Sequence, residues 1–146
     1  MKIRELRVTY HARPDAPHYS ATSKIADARQ AAAIFTPMLK DQAQEVFLCL
    51  YMNTKGRVIG IQEIGRGSLD SVIASPRIIV RSALLVDAAS IIVAHNHPSG
   101  DPTPSPQDID MTKRLRDAAK LLEIELVDHV IISEGSFRSL KEWGIL

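Results

Sequence analysis

SIIVAHNHPSGDPTPSPQD, Ser90 to Asp108, is the stretch on which the fold turns. Its first part is a short, wholly apolar run, the kind of strand found in the middle of a sheet. Its last part, Ser105-Pro106-Gln107-Asp108, reads as a helix start. Serine stands at the cap, proline at the first helical position and aspartate at the third. Between them lie two histidines one residue apart and a loop stiffened by Pro98, Pro102 and Pro104 around Gly100. A strand that ends in a rigid loop and hands over to a capped helix is one unit of an α/β fold.

Working outward, the same alternation continues. A helix is expected from about Pro106 to Leu122, with Ile109, Leu115, Ala119 and Leu122 facing inward. IELVDHVIIS (124–133) reads as a strand, SEGS as a turn, and FRSLKEWGIL (137–146) as a short closing strand and tail. Upstream, SPRIIVRSALLVDA (75–88) is a helix with Ser75 as its cap and Ile79, Ala83 and Val86 as its apolar stripe. EVFLCLYM (45–52) and RVIGIQEIG (57–65) flank the polar turn NTKGR and predict a β-hairpin. The second of these does not alternate cleanly, so it is expected to be covered on both faces. IADARQAAAIFTPMLK (25–40) favours a helix starting near Ser23 or Asp27, with Pro37 kinking or ending it. RELRVTY (4–10) has the makings of a short strand, and ARPDAPHYSATS (12–23) reads as loop. The sum is an α/β fold with a mixed β-sheet flanked by helices. Residues 1–44 form an arm and helix packing on a domain of residues 45–146.

With 146 residues, 45% hydrophobic and 24% charged, the chain suits one soluble globular domain. A formal charge of +1 gives no bulk case for nucleic acid or anionic membrane. Residues 1–44 are modestly basic, with Lys2, Arg4, Arg7, Arg13, Lys24, Arg29 and Lys40 against Glu5, Asp15, Asp27 and Asp41, and a solvated face is the simpler reading. No run approaches the roughly 18 apolar residues that read as a membrane span. No secretory signal opens the sequence, and a cytoplasmic location is expected. Cys49 is the only cysteine and reads as a small buried hydrophobe.

The chemistry gathers at the joint. Residues i and i+2 of an extended chain point to one side, so His95 and His97 can reach one point in space. Asp108, on the first turn of the following helix, can return a carboxylate to them. Asp101 and Asp110 compete for that role. Two imidazoles and one carboxylate leave a tetrahedral zinc ion with one open position, the layout of a catalytic rather than a structural site. Glu63 is the candidate general base, a carboxylate within the otherwise apolar IGIQEIG. Such a group is costly to bury unless it has work or a partner. Each feature also has a plain reading: solvated turn histidines, a capping-box Ser105 and Asp108, an edge-strand Glu63. The joint occurrence favours a site.

His95-x-His97-Pro98, with seven residues between His97 and Ser105, then Ser105-x-x-Asp108, resembles the JAMM (MPN+) signature of zinc isopeptidases. HNHPSGDPTPSPQD, with GRGSLDSVIASPRIIVRSALL and LVDHVIISEGSFRSLKEWGIL, is similar to the RadC-like branch of that group. The resemblance implies a JAB/MPN-like, cytidine-deaminase-like fold and a zinc cofactor on His95, His97 and Asp108. It implies Ser105 as an oxyanion donor and an upstream glutamate as general base. Glu63 is the match for that glutamate, with Gln62 coming into register if the strand bulges by one residue. The implied substrate is a peptide or protein with an amide or isopeptide bond.

A second reading is a DNA-associated accessory protein, in repair or mobile-element biology, with a structural or vestigial metal. A nuclease is disfavoured: His95-Asn96-His97 spells a nuclease motif whose residues come from separate elements. A zinc deaminase needs cysteine ligands that a single Cys49 cannot supply. His129 reads as a hydrogen-bonded structural histidine, and Trp143 as packing the tail onto the core.

Overall fold

The computed structural model describes residues 1–19, 23–67 and 74–146. Among the described residues, three helices and five strands follow in the order α1 (Ala28–Leu39), β1 (Val46–Met52), β2 (Val58–Arg66), α2 (Pro76–Leu85), β3 (Ser90–Asn96), α3 (Pro106–Leu121), β4 (Glu125–Ser133) and β5 (Ser136–Ser139). The strands form one sheet in the order β2-β1-β3-β4-β5. Only the β3–β4 pair is parallel. That pair is bridged by α3, because parallel neighbours need a crossover long enough to return the chain. The mixed α/β sheet expected from the sequence is present, with β3 at its centre and buried along its whole length.

Side chains alternate across the sheet and build two apolar layers. On one face α1 lays Phe35, Met38 and Leu39 against Leu48, Leu50, Ile92 and Val130. On the other, α2 and α3 lay Ile79, Ala83, Leu115 and Ala119 against Phe47, Cys49, Ile91 and Val93. Leu115→Ala at the wholly buried centre of the second layer falls in the class that costs about 2–5 kcal/mol.

Asp27, not Ser23, caps α1, accepting the Gln30 N–H at 2.8 Å. Pro37 lies inside the helix, which ends two residues later at Leu39. Ser75 stands at the cap of α2 without making a side-chain cap bond, and Pro76 opens the helix. The α2 helix stops at Leu85, short of the expected Ala88, where Asp87 takes a left-handed φ of 55°.

Three expectations are corrected. Strand β2 is an edge strand and half-exposed rather than covered on both faces. Its irregular pattern comes from a bulge: Phe47 pairs with Gly65 but Leu48 with Glu63. The inward face of α3 is Asp108, Thr112, Leu115 and Ala119, while Leu122 is exposed. Trp143 is 47% exposed and lies under the Arg138 guanidinium, 4.5 Å from its carbon, instead of packing into the core.

The arm forms no strand among its described residues, though the Tyr10 ring rests against Gly60 of β2. The loop expected at 12–23 is met where it is described; residues 20–22 lie outside the described residues, as do residues 68–73. No helix among the described residues is long and apolar enough to cross a membrane.

Candidate metal centre

The centre lies where β3 ends. The His97 N–H donates to the Ile132 carbonyl at 2.8 Å, so the parallel pairing with β4 holds the chain extended through both histidines. The loop then turns at once: Gly100 takes a φ of 87° and donates its N–H to the His97 carbonyl. Only glycine adopts that region without strain. Ser105 next opens α3 with a complete capping box. Its hydroxyl oxygen accepts the Asp108 N–H at 3.1 Å, and its own N–H donates to Asp108 Oδ2 at 2.7 Å.

Those local rules bring His95, His97 and Asp108 together. Their ligand atoms lie within 4.8 Å of one another, and the three can hold a metal ion. His95 Nε2 is 2.9 Å from His97 Nε2. Asp108 Oδ1 is 3.3 Å from the first and Oδ2 is 3.3 Å from the second. His95 and Asp108 are fully buried, and Phe47 stacks beneath His95 with ring centroids 5.9 Å apart.

Hydrogen-bond chemistry tests the fit. His97 Nδ1 lies 2.8 Å from the Asp101 carbonyl oxygen, which can only accept. The neutral ring therefore carries its proton on Nδ1 and leaves Nε2 bare. Asp108 Oδ1 is buried with no hydrogen-bond partner. An orphaned carboxylate oxygen facing two imidazole nitrogens 2.9 Å apart is a place that wants a cation. Burial opposes ionisation of Asp108, but contacts from His95 and His97 outweigh it and hold the carboxyl well below its usual range. The Asp108 contact, against the opposing effect of burial, raises the His97 pKa, helped by the Asp101 carbonyl and the Glu45 charge.

Of the competing carboxylates, Asp101 is turned to its own loop, accepting the Thr103 N–H. Asp110 is exposed and lies 3.8 Å from Arg114. Ser105 lends capping only a lone pair, so its hydroxyl proton remains available to an oxyanion.

Glu63 is not brought to this cluster. It pairs with Leu48, which pairs in turn with Ala94. Both belong to the α1 face, whereas His95 pairs with Phe47 on the other. The Glu63 carboxylate is held by Arg66 at 2.5 and 3.1 Å. Gln62 does share the histidines' face, but its side chain accepts from the Tyr51 hydroxyl at 2.7 Å, along the sheet from the cluster.

A different carboxylate stands there. The β1–β3 pairing matches Phe47 with His95, so two residues back Glu45 falls opposite His97 and on the same face. Buried Asn96, between the two histidines, fixes that entry to β1. Its Oδ1 accepts the Val46 N–H at 2.7 Å and its Nδ2 donates to the Gln44 and Gln42 carbonyls at 2.9 and 3.3 Å. The signal for Glu45 was its position at the head of EVFLCLYM, but reading it needed the strand register. Asn96→Ala should leave the buried Val46 N–H unpaired and cost about 1–3 kcal/mol in urea unfolding.

A family model for the RadC-like JAB domain matches residues 25–145. The chain belongs to the RadC-like JAB domain family. A UPF0758 protein of Shouchella clausii is 48% identical over 120 residues, covering 82% of this chain and 52% of the relative. One of Halalkalibacterium halodurans is 54% identical over 104 residues, covering 71% and 45%. Another, from Methanosarcina acetivorans, is 42% identical over 123 residues, covering 84% and 54%. The chain thus spans about half the length of these relatives. Its mixed sheet flanked by three helices is the JAB/MPN-like arrangement that the motif resemblance implied.

Proposed function

We propose that this RadC-like JAB domain is a zinc-dependent hydrolase that cleaves an amide or isopeptide bond in a peptide or protein. The observation that carries the reading is the orphaned Asp108 Oδ1, 3.3 Å from His95 Nε2, with His97 Nε2 2.9 Å from that nitrogen. His95, His97 and Asp108 would hold the ion. Bound there, zinc supplies Lewis acidity, lowering the pKa of water towards neutrality and polarising a carbonyl. Glu45 takes the proton from the attacking water and returns it to the leaving amine. The Ser105 hydroxyl donates to the carbonyl oxygen as it gains charge. A groove of about 840 Å³ between the end of α1 and the β4–β5 turn includes His97 among its walls, but it lies on the α1 side of the sheet and is lined by none of His95, Ser105, Asp108 and Glu45.

The test is metal content by mass spectrometry and cleavage of fluorogenic peptide and isopeptide substrates before and after chelation. Near-stoichiometric zinc and chelator-sensitive cleavage are expected, and a protein that neither retains nor takes up zinc refutes the reading. The DNA-associated alternative draws less support, because Arg7 and Arg13 of the basic arm are ion-paired with Glu5 and Asp15.

Metal binding should also depend on pH in a defined direction. Zinc needs bare imidazole nitrogens, so protons compete with it. The raised His97 pKa means that competition begins at a higher pH than for a free imidazole near 6.5. Below that pKa, apparent zinc affinity should fall by up to about tenfold per pH unit for each proton displaced. Competition against a chromogenic chelator at each pH measures it.

A further inference from the structure

His129 is buried completely in β4 and takes no part in the proposed chemistry. It nevertheless lies behind the metal centre, in a hydrogen-bonded series that runs from one proposed ligand to another. His95 Nδ1 is 2.8 Å from His129 Nε2. His129 Nδ1 is 2.6 Å from Thr112 Oγ1. Thr112 Oγ1 is 2.5 Å from the backbone carbonyl oxygen of Asp108. The side chain of one ligand is thereby tied to the main chain of another.

The direction of the series follows from counting protons. A carbonyl oxygen can only accept, so the single hydroxyl proton of Thr112 is spent on Asp108. Toward His129, Thr112 has only a lone pair to offer, so His129 Nδ1 must be the donor. A neutral His129 then has a bare Nε2, which accepts from His95 Nδ1. With its proton on Nδ1, His95 presents a bare Nε2 to His97 and Asp108. The reverse direction would turn the Thr112 proton toward His129 and leave two oxygens 2.5 Å apart with no hydrogen between them. It would also put a proton on His95 Nε2, the atom a metal needs bare. An isolated imidazole in water favours that second tautomer, so the fold has to select the first.

We propose that His129 and Thr112 are positioning residues that lock His95 in the Nδ1–H tautomer, leaving its Nε2 lone pair aimed at the metal centre. The lock rests on reading His95, His97 and Asp108 as that centre, and it mirrors the role of the Asp101 carbonyl toward His97. Ligating histidines tied in this way through their second nitrogen bind metal more tightly, and losing the tie costs about 10–100-fold in affinity.

The experiment compares the wild-type protein with Thr112→Val, which matches the shape but offers His129 no lone pair, and Thr112→Ser, which restores the hydroxyl. His129→Phe removes the middle of the series. Histidine tautomers are read in the metal-free proteins by long-range proton–nitrogen NMR. Zinc affinity is read by competition with a chromogenic chelator. Wild type and Thr112→Ser should show His95 as the Nδ1–H form. Thr112→Val and His129→Phe should shift it toward the Nε2–H form and weaken zinc roughly 10–100-fold. His97, held by Asp101, should keep its own Nδ1–H signature in each and so report an intact loop. An unchanged His95 tautomer in Thr112→Val, or a wild-type His95 already in the Nε2–H form, overturns the lock. Should the tautomers follow the series while no variant, wild type included, takes up zinc, the metal reading falls and the lock stands.

Discussion

Glu45→Gln should reduce the rate of amide cleavage by about 10²–10⁴-fold, the range a general base supplies, while leaving bound zinc near one per chain. Glu63→Gln should change it by no more than about threefold. The contrast follows from the sheet. Extending the β1–β3 register past Phe47 and His95 puts Glu45 opposite His97, and its charge helps to raise the His97 pKa. Glu63 points to the α1 face and is neutralised by Arg66. Glutamine keeps the size of either side chain and removes its charge and basicity, so neither change should open a cavity in the fold. The Glu63–Arg66 pair is partly exposed, and such pairs contribute roughly 0–1 kcal/mol. Steady-state kinetics on a fluorogenic substrate, with zinc measured on the same samples, separates the two. Equal losses from both variants, or a loss from Glu63→Gln alone, would return the base to β2.

Why the sequence pointed to Glu63, on the far face of the sheet from the histidines, is itself physical. His95, His97, Ser105 and Asp108 were legible because their placement is governed by local rules: the two-residue period of a strand, the stiffness of proline, the reciprocity of a capping box. Each acts over a few residues. The face on which Glu63 lies depends on a bulge between Phe47 and Leu48, and a one-residue slip exchanges the two faces of a strand. Glu45 depends on the pairing of β1 with β3, strands that lie far apart in the chain. Nothing near either residue in sequence encodes that register. A related blindness affected α3. Apolar periodicity alone favoured Ile109 and Leu122, yet the buried stripe begins with Asp108 and Thr112, because the upper end of that face looks onto polar groups. His129 read correctly as a hydrogen-bonded histidine, but its partners, His95 and Thr112, come from two other elements.

Asp108→Asn should divide the stability of the fold from the integrity of the centre. The carboxylate has two tasks carried by different atoms. Oδ2 accepts the Ser105 N–H and completes the cap of α3, and Oδ1 faces the histidines without a hydrogen-bond donor of its own. Asparagine can keep its oxygen on the Ser105 N–H, so the cap survives and the metal-free protein should melt within a few degrees of wild type. Its amide nitrogen then takes the place of Oδ1, presenting hydrogens where a lone pair and a negative charge stood. Zinc affinity should fall by more than the roughly 100-fold that loss of an outer hydrogen bond can cost. Wild type at zinc concentrations near 100 times its dissociation constant should gain about 2.7 kcal/mol, or roughly 5–10 °C in Tm. Asp108→Asn should gain almost nothing at the same concentration. Asp108→Ala, which loses cap and charge together, should in addition lower the metal-free Tm by the equivalent of about 1 kcal/mol. A zinc-dependent Tm rise in Asp108→Asn matching wild type would show that the carboxylate serves α3 alone, and that the two histidines hold the ion without it.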